Sequence, residues 1–73
     1  MMLMTNDLIR IAAAGGGMVL DSKKIMINDL IRIAAASSSG TGKIILNNVN
    51  GILVDDLIRI SAAGKGNIIF NFN

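Results

Sequence analysis

A nine-residue segment, Asn6-Asp-Leu-Ile-Arg-Ile-Ala-Ala-Ala14, recurs unchanged at Asn28 to Ala36 and returns with two conservative replacements at Asp55 to Ala63. Asp7 and Asp29 are 22 residues apart, and Asp29 and Asp56 are 27 apart. A repeat of this period is one supersecondary unit that buries its apolar face by stacking on neighbouring copies, which constrains the fold more than composition does. Each copy is followed by small residues and then an apolar triplet: Met18-Val-Leu20, Ile44-Ile-Leu46 and Ile68-Ile-Phe70.

At 100 degrees per residue, Leu8, Ile9, Ile11, Ala12 and Ala13 share one broad arc, and Asp7, Arg10 and Ala14 lie on the other side. The repeated segment is therefore read as a helix with a wide buried face. Asn6, Asn28 and Asp55 precede it as N-caps, with Asp7, Asp29 and Asp56 in the first turn where negative charge is favoured. Gly15 and Gly64 are expected to end the first and third helices in a left-handed conformation.

The triplets are short and bulky or β-branched, which suits strands. Strands alternating with helices imply parallel pairing and right-handed crossovers, and Ile44-Ile-Leu46 reads as covered on both faces or nearly so. Asn50-Gly51 is a hairpin signal that competes with this reading, as does the stretch from Met18 to Ile27, but Ile25-Met-Ile27 and Ile52-Leu-Val54 run straight into helix starts. The expected fold is α/β: three tandem helix-strand repeats forming a short solenoid-like parallel sheet backed by helices, in one domain divided at about 1–24, 25–51 and 52–73. It resembles α/β solenoids such as leucine-rich repeats in repeat length alone, without the leucine-rich consensus.

A chain of 73 residues buries a modest core, and chains this short commonly need a staple. The absence of cysteine rules out disulfides and thiolate metal sites, and the absence of histidine removes the commonest remaining zinc ligand. Oligomerisation is the staple left, and neither a metal nor a cofactor is expected. Histidine, cysteine, tyrosine and glutamate are all missing, so acid-base or nucleophilic work would fall to Asp, Lys, Ser or Thr outside any non-repeated constellation, and an enzyme is not expected. The apolar N-terminal stretch lacks a basic n-region and is broken by Asp7 and Arg10, and no uncharged run reaches 18 residues. A cytoplasmic protein without membrane contact is the expectation.

Ser38-Ser-Gly-Thr-Gly-Lys43 invites comparison with a phosphate-binding loop, but Ile44 stands where a magnesium-binding hydroxyl is needed and the loop leads from helix to strand. Arg10, Arg32 and Arg59 would line up if the repeats stack, and with Lys43 and Lys65 they form a candidate anion-binding row. Each arginine follows an aspartate by three residues, so internal pairing is the stronger reading. With a net charge of +2 and two aromatic residues, nucleic acid is not an expected partner.

The ends carry the most specific message. Ile68 to Asn73 is uncharged and proline-free, with Ile68, Phe70 and Phe72 alternating against Ile69, Asn71 and Asn73. Met1 to Met4 is equally unprotected. Met2, Met4, Ile68, Ile69, Phe70 and Phe72 are therefore the candidate self-association residues, in a homo-oligomer or with a protein partner added by strand pairing.

Overall fold

The computed structural model describes residues 4–72. Three helices, α1 (Thr5–Ala13), α2 (Ile27–Ser37) and α3 (Val54–Gly64), alternate with three strands, β1 (Met18–Asp21), β2 (Ile44–Asn47) and β3 (Ile68–Phe70). The strands pair in parallel in the order β1-β2-β3, in a register that places Met18, Ile44 and Ile68 side by side. α1 packs against α2, and α2 against α3. The chain is thus a helix layer on one face of a small sheet.

The solenoid-like expectation is overturned, because the sheet is open and neither curls nor closes, with β1 and β3 as its edges. The physical reason is size. Three strands of three or four residues accumulate two steps of about 20–25° of twist, and the helices lie directly beside one another as a flat layer. The result is a two-layer α/β unit measuring 28 × 27 × 20 Å.

Strand alternation divides the sheet residues into two sets. Ile44 and Leu46 are buried under the helices, flanked by Met18 and Leu20 on one side and by Ile68 and Phe70 on the other. They meet Leu8, Leu30, Ile33 and Ile60 from the helices, with Val49 closing the core below β2. The opposite face is open. Val19 and Ile69 are exposed and Ile45 is half-buried, so the expectation that the β2 triplet is covered on both faces is corrected to cover on one. Asn50-Gly51 lies in the turn between β2 and α3, where the Ile52 N–H donates to the Val49 carbonyl, and forms no hairpin.

The helices begin two residues earlier than the capping pattern implied. Met4, Met26 and Leu53 are the N-caps, all in extended conformation, and Asn6, Asn28 and Asp55 lie inside the first turn. This moves Asp7 to the third helical position, from which its carboxylate accepts the Met4 N–H at 3.1 Å. The acidic residue caps from within the helix.

Gly15 adopts the left-handed conformation expected of it (φ +91°), but Gly64 belongs to α3, and the left-handed residues are Lys65 and Gly66. A Cβ on Gly64 would strike the Ile68 side chain, so the glycine admits close packing between α3 and β3. Gly42 serves another close approach: a Cβ there would meet the Gly16 carbonyl carbon and the Gly17 nitrogen, each at 2.7 Å. Asn67, buried at the start of β3, completes the seam by donating to the Ser37 carbonyl (2.6 Å) and the Gly40 carbonyl (3.0 Å).

Gly42→Ala is expected to lower stability by about 1–3 kcal/mol, because neighbouring backbone cannot yield as a side-chain tip can. Gly51→Ala, with open space around its Cβ, should be neutral or stabilising by up to about 1 kcal/mol. Urea unfolding followed by far-UV circular dichroism compares the two, and equal midpoints would refute the backbone-approach argument.

Candidate interaction surface

Strand alternation and helix periodicity distribute the sequence-derived candidates among three places. Ile69 lies on the open sheet face, in register with Ile45 and Val19, and the three form an apolar row across the sheet. Ile68 and Phe70 point the other way and pack against the core. Phe72 is exposed beyond the end of β3, its ring centroid 6.0 Å from that of Phe70. Met4 is exposed at the N-cap of α1, and Met2 lies outside the described residues. The candidates from Ile68 to Phe72 therefore divide between core and surface, with Ile69 and Phe72 the well-exposed members.

Arg10, Arg32 and Arg59 occupy the same position in successive helices and are all exposed. Arg32 pairs with Asp29 at 3.4 Å and Arg59 with Asp56 at 3.7 Å, three residues earlier in each helix. At such exposure these pairs contribute a few tenths of a kcal/mol. Asp7 is engaged by the Met4 N–H, and Arg10 lines a shallow depression of about 520 Å³ with Asp7, Ile11 and Ala14. The Lys43 ammonium donates to the Asn67 Oδ1 at 3.1 Å and to the Gly66 carbonyl at 3.3 Å. Lys65 is exposed in the left-handed turn after α3. The loop from Ser38 to Lys43 spends its glycines on backbone contact with Gly15 to Gly17, and its serines donate to carbonyls of their own helix end. Its composition is explained by that packing without a phosphate.

The carboxyl ends of the strands, where open α/β sheets commonly bind ligands, hold a polar latch instead. The Asn48 Nδ2 donates to the Asp21 Oδ1 at 2.9 Å, the Asn71 Nδ2 donates to the Asn47 Oδ1 at 2.9 Å, and the Ser22 hydroxyl donates to the Asn47 carbonyl at 2.7 Å. Asn48 takes a left-handed φ of 61° to reach Asp21, a conformation asparagine tolerates better than most residues. Among the described residues no group of three or more acidic side chains is placed to hold a metal ion, and no helix is long and apolar enough to cross a membrane.

Sequence reasoning missed Ile11 and Ile58 as exposed residues and the half-buried Ile45 as a member of the open sheet face. Val19 and Ile45 follow from alternation once the sheet is known to be covered on one side. For Ile11 and Ile58 the available signal was position in the repeat, since a terminal copy lacks one neighbour.

The Asn48 amide and the Lys23 N–H hold the Asp21 carboxyl below the ordinary value of 3.8 against the opposing effect of desolvation, with the Lys24 and Lys23 charges adding lesser downward effects. A carboxyl depressed in the folded state contributes stability that is present above its unfolded value and is lost as pH falls through the folded value. Acid titration by circular dichroism should therefore show stability declining below about pH 4, and Asp21→Asn should flatten that decline while leaving most of the neutral-pH stability. An unchanged acid limb in the variant would place the pH dependence elsewhere.

Comparison with known proteins finds no matching family model, no matching curated protein and no matching solved structure, so the surfaces themselves carry the functional reading.

Proposed function

We propose that this chain is a non-catalytic structural or protein-interaction module that self-associates through its exposed strand edges. One observation carries the reading: among the described residues neither outer strand of the parallel sheet pairs on its far side, and apart from Asp21 at the end of β1 these strands contain no charge or proline. Unpaired N–H and C=O groups along an unguarded apolar edge are a template for another strand, and monomeric proteins normally blunt such edges with charge, proline or a bulge. The apolar row of Val19, Ile45 and Ile69 adds to the tendency, because parallel sheets are ordinarily covered on both faces. A different protein adding a strand would use the same edges.

Anion binding along the arginine row has less support. Arg32 and Arg59 already face their own aspartates, and Lys43 is engaged by Asn67 and Gly66, which leaves Arg10 and Lys65 as its principal contributors.

The cytoplasm is the compartment this reading assumes, so the test is run at neutral pH and physiological salt. Light scattering coupled to size-exclusion chromatography, with refractive-index detection because the chain has no Trp or Tyr, should give a mass above the 7.7 kDa of one chain that rises with loading concentration. A constant single-chain mass into the millimolar range would refute self-association.

A further inference from the structure

The three helices carry the same or similar residues at most equivalent positions, so differences in burial between copies report what lies beside each one. Ile11, Ile33 and Ile60 are equivalent; Ile33 and Ile60 are 1% and 0% exposed, whereas Ile11 is 38% exposed. Ala14 is likewise exposed where Ala36 and Ala63 are half-buried. This side of each helix is covered by the preceding helix, and α1 has none before it among the described residues.

The opposite side shows the converse. Thr5 and Ile9 of α1 are half-buried, as are Ile27 and Ile31 of α2, but their counterparts on α3, Val54 and Ile58, are 68% and 58% exposed. Ala12 and Ala34 are buried, and their counterpart Ser61 is exposed. This side is covered by the following helix, and α3 has none after it among the described residues.

The geometry points to a second copy of this chain as the missing neighbour, docked head to tail, with α3 of one copy on α1 of the next and β3 paired in parallel with the next copy's β1. The inference rests on the self-association reading and gives it a direction. The two faces are complementary by construction, because each reproduces a face already packed against the other's equivalent twice within the chain. Val54 and Ile58 would take the place that Ile27 and Ile31 hold against α3, and Ile11 and Ala14 the place of Ile60 and Ala63. The shallow depression on α1 lined by Asp7, Arg10, Ile11 and Ala14 lies along this side of the helix, where a preceding helix would sit. Continuing the register, Ile68 would stand beside Met18 of the next copy.

Area sets the strength. A face of a body measuring 28 × 27 × 20 Å offers roughly 500–750 Å² in projection, so the contact buries about 1,000–1,500 Å² in total, at the lower end of specific interfaces. The two faces differ, so the contact is heterologous and leaves a free face at each end of every assembly, which makes growth concentration-dependent unless a ring closes.

Ile11→Asp blocks one face and Ile58→Asp the other. Each variant alone should run as a single chain with a native circular dichroism spectrum, and an equimolar mixture should give a species of about twice that mass, because each supplies the face the other lacks. Persistent oligomers of Ile58→Asp alone, or no association in a mixture of folded variants, would overturn the head-to-tail contact while leaving self-association standing; a wild-type chain that is always monomeric would overturn both. If either aspartate prevents folding, the cysteine-free chain allows a second measurement. Ile11→Cys and Ile58→Cys combined in one chain should oxidise to a ladder of multimers, whereas a ladder-free product with equally efficient dimers from Ile58→Cys alone would show a symmetric contact instead.

Discussion

The lateral packing of each helix on the next, over one shared sheet face, is the interaction on which the rest of the structure depends. Ile33 and Ile60 are buried completely because each has a sheet beneath it and a preceding helix beside it. Burying one such side chain is worth about 1.5–3 kcal/mol, and the repeat applies the same contact to successive pairs of helices. The strands are too short to be stable as an isolated sheet, so the helices set their position as much as the strand hydrogen bonds do. Met18, Ile44 and Ile68 fall into register because the units above them are spaced alike.

A stack of equivalent units works only if the connections fit the same spacing, and here the glycines matter. Gly15 turns the chain out of α1 in a left-handed conformation, and the backbone of Gly16 and Gly17 then lies against Gly42 with no room for a side chain between them. Asn67 ties the next connection to this seam through the carbonyls of Ser37 and Gly40. The loops that most resembled ligand-binding loops by composition are therefore close-packed joints. A glycine-rich segment next to a lysine carries phosphate-binding meaning only when its N–H groups converge on open space, and in this chain the space is taken by another loop.

Much of the architecture was legible because the repeat is nearly literal. Identical segments at Asn6 and Asn28 both form helices, differing only in where they end, and the apolar triplets after them left strands as the economical reading. Curvature was not legible, since repeat length is shared by stacks that coil and stacks that stay flat, and the difference lies in strand number and helix spacing. The caps were misplaced by two residues because aspartate at the third helical position can cap from inside, as Asp7 does on Met4. Gly64 was misjudged for a related reason: glycine after an alanine run signals a helix end, and only the position of Ile68 reveals that the missing Cβ serves packing. For the candidate site, the sticky C-terminal segment was identified but not which side of it is covered, since alternation separates Ile68 from Ile69 without saying which set faces the helices.

The same repeat that made the fold readable also concealed its surface. The repeated isoleucine positions have one chemical identity in all three copies but two environments, interior in the middle of the layer and terminal at its ends, so the repeat alone predicts burial for Ile11 and Ile58 that these residues do not obtain within one chain. Proteins built from stacked units usually change the residues of their first and last copies to suit water. Here that adjustment is slight: Ser61 replaces the alanine of the other copies, while Val54 and Ile58 remain apolar. The exposed Ser61 hydroxyl donates to the Leu57 carbonyl at 2.9 Å. The terminal faces thus keep the chemistry of interior ones, with Ile11, Val54 and Ile58 exposed where their counterparts in the other copies are wholly or partly covered.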